Sequence, residues 1–317
     1  MNKLIKQIIA ILLVIAVFVL LNLSIYKTVT RRFIDTSNKK VKNNTIQLKD
    51  YLPFDDKSSV VKVNSKTKIT DDIPVLDGAT ALYPVFSAFA NAKYPKDSVS
   101  FKDGKFSEKS KLQMNNTRGA YKRVVDGTSD IIFCAQPSKE QLEYAKEKGA
   151  TLKQVPIGRE AFVFIVNSHN SIDNLSVDQI KGIYTGKYTN WKEVGGGDNA
   201  IAAVQRNAGS GSQTAMLSFM GKDKMKRDIN VFKGSAIGYS FRYYVTDMIG
   251  NKDIKMISLN GVYPNEDNIK NGKYQVSSNF YAIYREDNKN PNIEKMINWI
   301  LSDEGQDIIE KTGYVGA

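Results

Sequence analysis

Hydrophobic and polar positions divide the chain into three regimes. Near the start, residues 8–26 form an apolar run interrupted by Asn22 and Ser24, with Lys3 and Lys6 before it and Lys27, Arg31 and Arg32 after it. A helix over such a run spans the roughly 30 Å hydrocarbon layer of a membrane. The run exceeds the apolar stretch of an ordinary cleavable signal, no small-x-small site follows it, and no cysteine stands at its end for lipid attachment. The expectation for residues 1–26 is therefore an uncleaved membrane anchor, with a cleaved signal as the rival. Residues 27–72 are rich in Lys, Asn, Ser, Thr and Asp, with short apolar patches at 51–54 and 60–63, and read as a polar tether that docks at most one strand.

From Pro74 onward short apolar runs alternate with amphipathic stretches. Residues 75–77 read as a strand leading into a helix over 81–92, 117–125 as a second helix, and 130–135 as a fully buried strand. Ser138 is placed to cap a charged helix over 139–148, with Glu140 and Gln141 in its first turn. This alternation predicts an α/β fold whose sheet is mainly parallel and covered on both faces. Two later runs, 160–167 and 274–285, are long, β-rich and unbroken, as a chain crossing twice between two lobes requires. Lobe one is then 73–160 with 280–317, and lobe two is 161–279 including the second crossing. Lobe two holds a helix over Val177–Thr185, an aromatic loop at 188–191, the strand before Arg206 and the stretch 237–248. Residues 293–310 return to lobe one as a helix, and Arg159 with Glu160 reads as an interlobe ion pair.

Charge changes the picture once it is apportioned. The net +12 of the 317 residues resembles a nucleic-acid binder's, yet residues 1–72 hold 13 Lys/Arg against 6 Asp/Glu, and the other 245 hold 32 against 27. A mildly basic folded part without a Lys/Arg stripe argues against nucleic acid and suits a small anion or a membrane-adjacent place. One cysteine, Cys134, and one histidine, His169, exclude an intrachain disulfide and a Cys/His zinc site. A Cys-His catalytic pair would need those two residues, and Cys134 sits in an apolar run while His169 sits in a polar turn. No metal or organic cofactor and no enzymatic activity are expected.

The richest chemistry lies in Arg206-Asn207-Ala208-Gly209-Ser210-Gly211-Ser212-Gln213, between an apolar run at 199–205 and a periodic stretch at 214–220. A strand entering a Gly/Ser turn and then a helix leaves free backbone N–H groups beside hydroxyls and one guanidinium. Such a set receives a tetrahedral oxyanion.

With this turn go Asp77-Gly78-Ala79-Thr80 followed by Pro84-Val85-Phe86, then Thr117-Arg118-Gly119-Ala120, the stretch 130–138, and Ile183-Tyr184-Thr185-Gly186-Lys187 with Thr189-Asn190-Trp191. In that order over 74–317, the set resembles the substrate-binding proteins of phosphate ABC importers, which have the type II periplasmic-binding fold of two lobes and two crossings. The resemblance implies that Thr80 gives a hydroxyl and Ala81 a backbone N–H, that Thr117 gives a second hydroxyl, and that Arg206 acts with Ser210, Gly211 and Ser212. It also puts Gln136 where phosphate binders usually place a proton-accepting aspartate, and Ala208 where an acid often pairs with the arginine. Selectivity against sulfate is expected to be weaker in consequence. Tyr239 and Ser240 are further candidates for lining the cleft. The implied partners are inorganic phosphate or a similar oxyanion and the permease of an ABC importer, served by a monomeric head outside the cell membrane. A surface sensor or adhesion head with the same fold is the first alternative, and an enzyme acting on phosphorylated or sulfated substrates the more remote one.

Overall fold

The computed structural model of the chain describes residues 5, 17–24, 47–226 and 235–317. They fall in two compact units, Met1–Ile46 and Gln47–Ala317. In the first, residues 17–24 are helical and Val17, Phe18, Leu20 and Leu21 are exposed. The rest of the expected anchor at 8–26 lies outside the described residues, and among those described no helix is long and apolar enough to cross a membrane.

The second unit begins earlier than the composition implies. Residues 47–72 do not stand free as a tether but lie irregularly against the folded body. Val60 is buried, and Leu48, Tyr51, Phe54, Val61, Val63 and Ile69 pack on the neighbouring core. Phe54 N–H donates to Asn91 Oδ1 at 2.9 Å, and Ser87 Oγ–H donates to the Tyr51 carbonyl. Each apolar patch is too short for a periodic signal, but together they cover surface that water would otherwise meet.

The main strands are β1 (Leu76–Gly78), β2 (Ile131–Cys134), β3 (Leu152–Asn167), β4 (Ile201–Ala203), β5 (Ser235–Phe241), β6 (Ile254–Met256), β7 (Ser277–Arg285) and β8 (Val315–Gly316). They join in the order β1-β2-β7-β3-β5-β4, with β6 and β8 also pairing with β3. The sheet is mixed rather than mainly parallel. Among its described strands only β1/β2 and β4/β5 run parallel, the first pair linked through two helices and the second through one. The pairs β2/β7, β3/β7, β3/β8, β3/β5 and β3/β6 are antiparallel. The cause is the two long strands: β3 carries the chain out and β7 carries it back, so they oppose each other and everything beside them.

Among the described residues, the longer helices that pack on this sheet are α1 (Tyr83–Lys93), α2 (Asn116–Val125), α3 (Lys139–Glu147), α4 (Val177–Thr185), α5 (Gly211–Met220), α6 (Ile293–Leu301) and α7 (Asp303–Lys311). Ser138 and Gln141 form a reciprocal capping box at α3, and Ser176 and Gln179 another at α4. The stretch 293–310 is two helices, because Ser302 is extended and restarts the second. The second helix presses on the end of the first so closely that a Cβ at Gly305 would lie 2.4 Å from the Ile300 carbonyl oxygen.

Two separate apolar cores result. Core one takes residues from Val60 to Ile157, Tyr243, and Phe280 to Tyr314. Phe86 stacks on Phe133 there at 5.4 Å between ring centres. Core two takes residues from Ala161 to Ile269, Tyr274 and Val315. Side chains of β3 pass from core one to core two between Ile157 and Ala161, and the chain returns between Tyr274 and Phe280.

Candidate anion-binding site

In both parallel units the chain leaves a strand and turns directly into a helix start. Beyond β1, Ala79 N–H donates to the Phe133 carbonyl at 2.8 Å. The 3₁₀ turn Thr80–Leu82 then opens α1. The amides of Thr80 and Ala81 find no acceptor among the described residues, which is the state that lets a helix start receive an anion. The Tyr314 hydroxyl donates to the Ala81 carbonyl and holds this turn from the side. Thr80 Oγ1 rests 3.6 Å from Met114 Sδ.

Beyond β4 the anion turn is braced from below. Arg206 N–H donates to Gln213 Oε1 at 3.0 Å and to Tyr239 Oη at 3.1 Å. The Tyr239 hydroxyl in turn donates to Gln213 Oε1. Ser210 caps α5 by accepting from Gln213 N–H at 3.2 Å. That bond occupies a lone pair and leaves the hydroxyl hydrogen of Ser210 available to a guest. The Gly211 and Ser212 amides, in the first turn of α5, have no acceptor among the described residues. The Arg206 guanidinium has no ion pair or hydrogen bond among them.

The start of α2 is positioned by Asp77. Its enclosed carboxylate accepts from Asn115 N–H at 2.9 Å, Asn115 Nδ2 at 2.8 Å and Arg123 Nε at 3.1 Å. Burial raises its pKa above the ordinary carboxylate value, although the Asn115, Gly78 and Arg123 contacts pull the other way. Asn116 adopts a left-handed φ of 55°, and its Oδ1 accepts from Arg118 N–H at 3.1 Å and Gly119 N–H at 3.3 Å. Thr117 is thereby presented at the helix mouth.

These three starts meet on one cavity of about 360 Å³ that draws its walls from both cores. Thr80, Ala81, Thr117, Arg206, Ser210, Gly211, Ser212 and Ser240 all line it. The approach is close: a Cβ at Gly211 would lie 3.3 Å from Thr117 Oγ1. Two expected residues stand elsewhere. Gln136 is exposed and gives its amide to Tyr281 Oη at 3.0 Å, because the turn after β2 carries it past the cavity, which only Ala135 reaches. Tyr239 is buried in core two, where it supports Arg206 from behind instead of lining the space.

Other lining residues were not singled out from sequence, notably Asn116, Arg118, Glu160, Asn207, Phe241, Tyr244 and Tyr314. Glu160 pairs with Arg242 rather than with Arg159, its Oε1 lying 3.7 Å from the Arg242 Nε. Neighbours on a strand face opposite sides, so Arg159 and Glu160 do not face each other and the expected pair between them does not form. Glu160 also accepts from Ala161 N–H at 2.8 Å and Tyr243 N–H at 3.4 Å. Burial outweighs these attractions and pushes its pKa up to about 7. For Arg118 a signal did exist: a cation in the first turn of a helix runs against the helix dipole, and such local conflicts mark functional positions.

Among the described residues, the cavity thus offers unengaged amides, hydroxyls and two guanidiniums, while the one carboxylate lining it is already held by Arg242. Among the described residues no group of three or more His, Cys, Asp or Glu side chains is placed to hold a metal. Cys134 is enclosed in core one and burial pushes its thiol up, while His169 is exposed.

A family model described as a PBP superfamily domain matches residues 67–304. The chain is 23% identical over 279 residues to the phosphate-binding protein PstS of Borreliella burgdorferi, covering 82% of this chain and 95% of that one. It is 27% identical over 266 residues to the phosphate-binding protein PstS of Staphylococcus epidermidis, covering 76% and 78%. Among solved structures, a phosphate ABC transporter substrate-binding protein from Clostridium perfringens with bound phosphate superposes with a TM-score of 0.60 at 27% identity, covering 80% of this chain and all of that one. An ABC-type phosphate transport receptor from Vibrio cholerae shares the fold, with a TM-score of 0.53 at 22% identity over 79% of this chain and all of that one.

Proposed function

The chain belongs to the PBP superfamily, and from that premise we propose that it is a membrane-tethered, extracytoplasmic solute-binding protein that captures a tetrahedral oxyanion, phosphate first, for delivery to an ABC importer. Core one and core two are the hearts of two lobes, and the cavity between them is the capture site. Thr80, Thr117, Ser210 and Ser212 hydroxyls, the Ala81 and Gly211 amides and the Arg206 guanidinium surround the ion. Helix starts and charged donors together offset a doubly negative guest. The segments at 157–161 and 274–280, where the chain changes core, act as the hinge about which the lobes close. The head works as a monomer, and the segment before residue 47 joins it to the membrane. No chemistry is performed on the ligand.

One observation carries this reading: three helix starts from distant parts of the chain and an arginine with no partner among the described residues line a single cavity. The names of the relatives from Borreliella burgdorferi and Staphylococcus epidermidis and of the Clostridium perfringens structure support phosphate as the ion. The test is calorimetric titration of the full-length chain with phosphate. Arg206→Ala is expected to weaken binding roughly tenfold to a hundredfold, as loss of charged hydrogen bonds implies, and to leave the unliganded melting temperature unchanged. Wild-type affinity in that variant removes Arg206 from the site.

A further inference from the structure

Arg118 is the third residue of α2. The free N–H groups of a helix start carry partial positive charge, so a cation there is disfavoured. The ordinary remedy is a carboxylate partner, and Arg118 has none: its guanidinium makes no ion pair or hydrogen bond to a described residue. It lines the cavity instead. A Cβ at Gly209 would lie 3.7 Å from Arg118 Cδ, so this side chain from core one stands against the core-two turn that carries Arg206. Glu160, the one carboxylate among the described residues that lines the cavity, is held by Arg242 and two backbone amides. Among the described residues, two guanidiniums without a partner, one on a helix of core one and one on a turn of core two, therefore line the same space.

We infer that Arg118 is a second anion-contacting guanidinium, and that with Arg206 it makes this a site for a doubly charged tetrahedral oxyanion whether or not the ion bears a proton, so that sulfate binds as well as hydrogen phosphate. The inference rests on the anion-capture reading of the cavity and specifies its ligand class. Among the described residues that line the cavity no unengaged carboxylate waits to accept the proton of hydrogen phosphate, and none repels an ion that lacks one. An arginine on each side of the cavity also gives the bound ion a charged contact to both cores, which ties occupancy to closure.

The test is calorimetric titration of the full-length chain with sodium phosphate and sodium sulfate, for wild type, Arg118→Gln, Arg118→Lys and Lys139→Gln. Lys139 is exposed, paired with Glu143 at 3.8 Å and outside the cavity, so its variant lowers the net charge equally. Wild type is expected to bind both ions. Arg118→Gln should weaken both roughly tenfold to a hundredfold, the scale of a lost charge-assisted contact. Arg118→Lys should retain part of the affinity, Lys139→Gln all of it, and no variant should melt below the wild type. Wild-type affinity for both ions in Arg118→Gln overturns the inference while the capture reading stands. Phosphate binding without sulfate binding overturns the ligand class. Wild type that binds neither ion ends the capture reading and this inference together.

Discussion

Glu160 offers a quantitative check on the electrostatics of the crossing strand. It is 4% exposed and sits between Arg242 and the amides of Ala161 and Tyr243. Its pKa rises from 4.5 to about 7 in the folded chain. The folded state therefore holds this proton more tightly than the unfolded state does. The resulting stabilisation is complete below the unfolded value and is lost as pH rises through the folded one. At 1.36 kcal/mol per unit, the shift amounts to roughly 2 to 3 kcal/mol between about pH 8 and pH 5. Glu160→Gln keeps the shape and an acceptor for Ala161 N–H but cannot titrate, and Arg242 retains Glu266 at 3.2 Å and the Gly313 carbonyl. The constant offset between the two proteins absorbs the lost attraction to Arg242. Urea unfolding followed by the fluorescence of Trp191 in core two and Trp299 against core one then measures the difference in stability at each pH. Wild type should gain on the variant by roughly 2 to 3 kcal/mol on acidification over that range. A difference that stays flat refutes the argument, because it means that Arg242 outweighs desolvation and holds Glu160 ionised throughout.

Two further outcomes follow from the packing around the site. In Gly78→Ala the new methyl would lie 2.5 Å from the Phe133 carbonyl oxygen and 2.8 Å from Phe86 Cε1, so the strand must shift, at a cost of about 1–3 kcal/mol; an unchanged urea midpoint contradicts the close approach. Tyr239→Phe removes the hydroxyl that links Gln213 to Arg206 N–H. It should lower stability by about 1 kcal/mol and weaken phosphate binding severalfold in titration, whereas an unaltered affinity denies the hydroxyl any part in holding the anion turn.

Much of the local structure can be read along the chain. Ser138, with a glutamine three residues on, caps a helix where expected, and the helix expected over 177–185 forms with Ser176 as its cap. The apolar run at 131–134 is a fully buried strand, and Ser210 starts the helix of the anion turn. All of these signals act over a few residues, within reach of one hydrogen bond or one helical turn. The strand directions escaped such reading: a period of two marks a strand but carries no mark of which way its neighbour runs, so the antiparallel pairs of the mixed sheet follow from the course of the two long crossing strands. The docking of residues 47–72 escaped it too, since scattered apolar side chains acquire a place only when a core exists to receive them.

The site divides along the same line. The helix starts at Thr80 and Ser210, the guanidinium of Arg206 and the scarcity of His and Cys belong to the sequence, because residue type and immediate neighbours settle them. Packing alone decided that Thr117 lies beside Gly211 and Arg118 beside Gly209, that Glu160 answers to Arg242, and that Gln136 turns away toward Tyr281. Those pairs are separated by between 82 and 145 positions along the chain. Only burial of the two apolar cores, which has no directional signature in any short stretch of sequence, brings them within a few ångströms of one another.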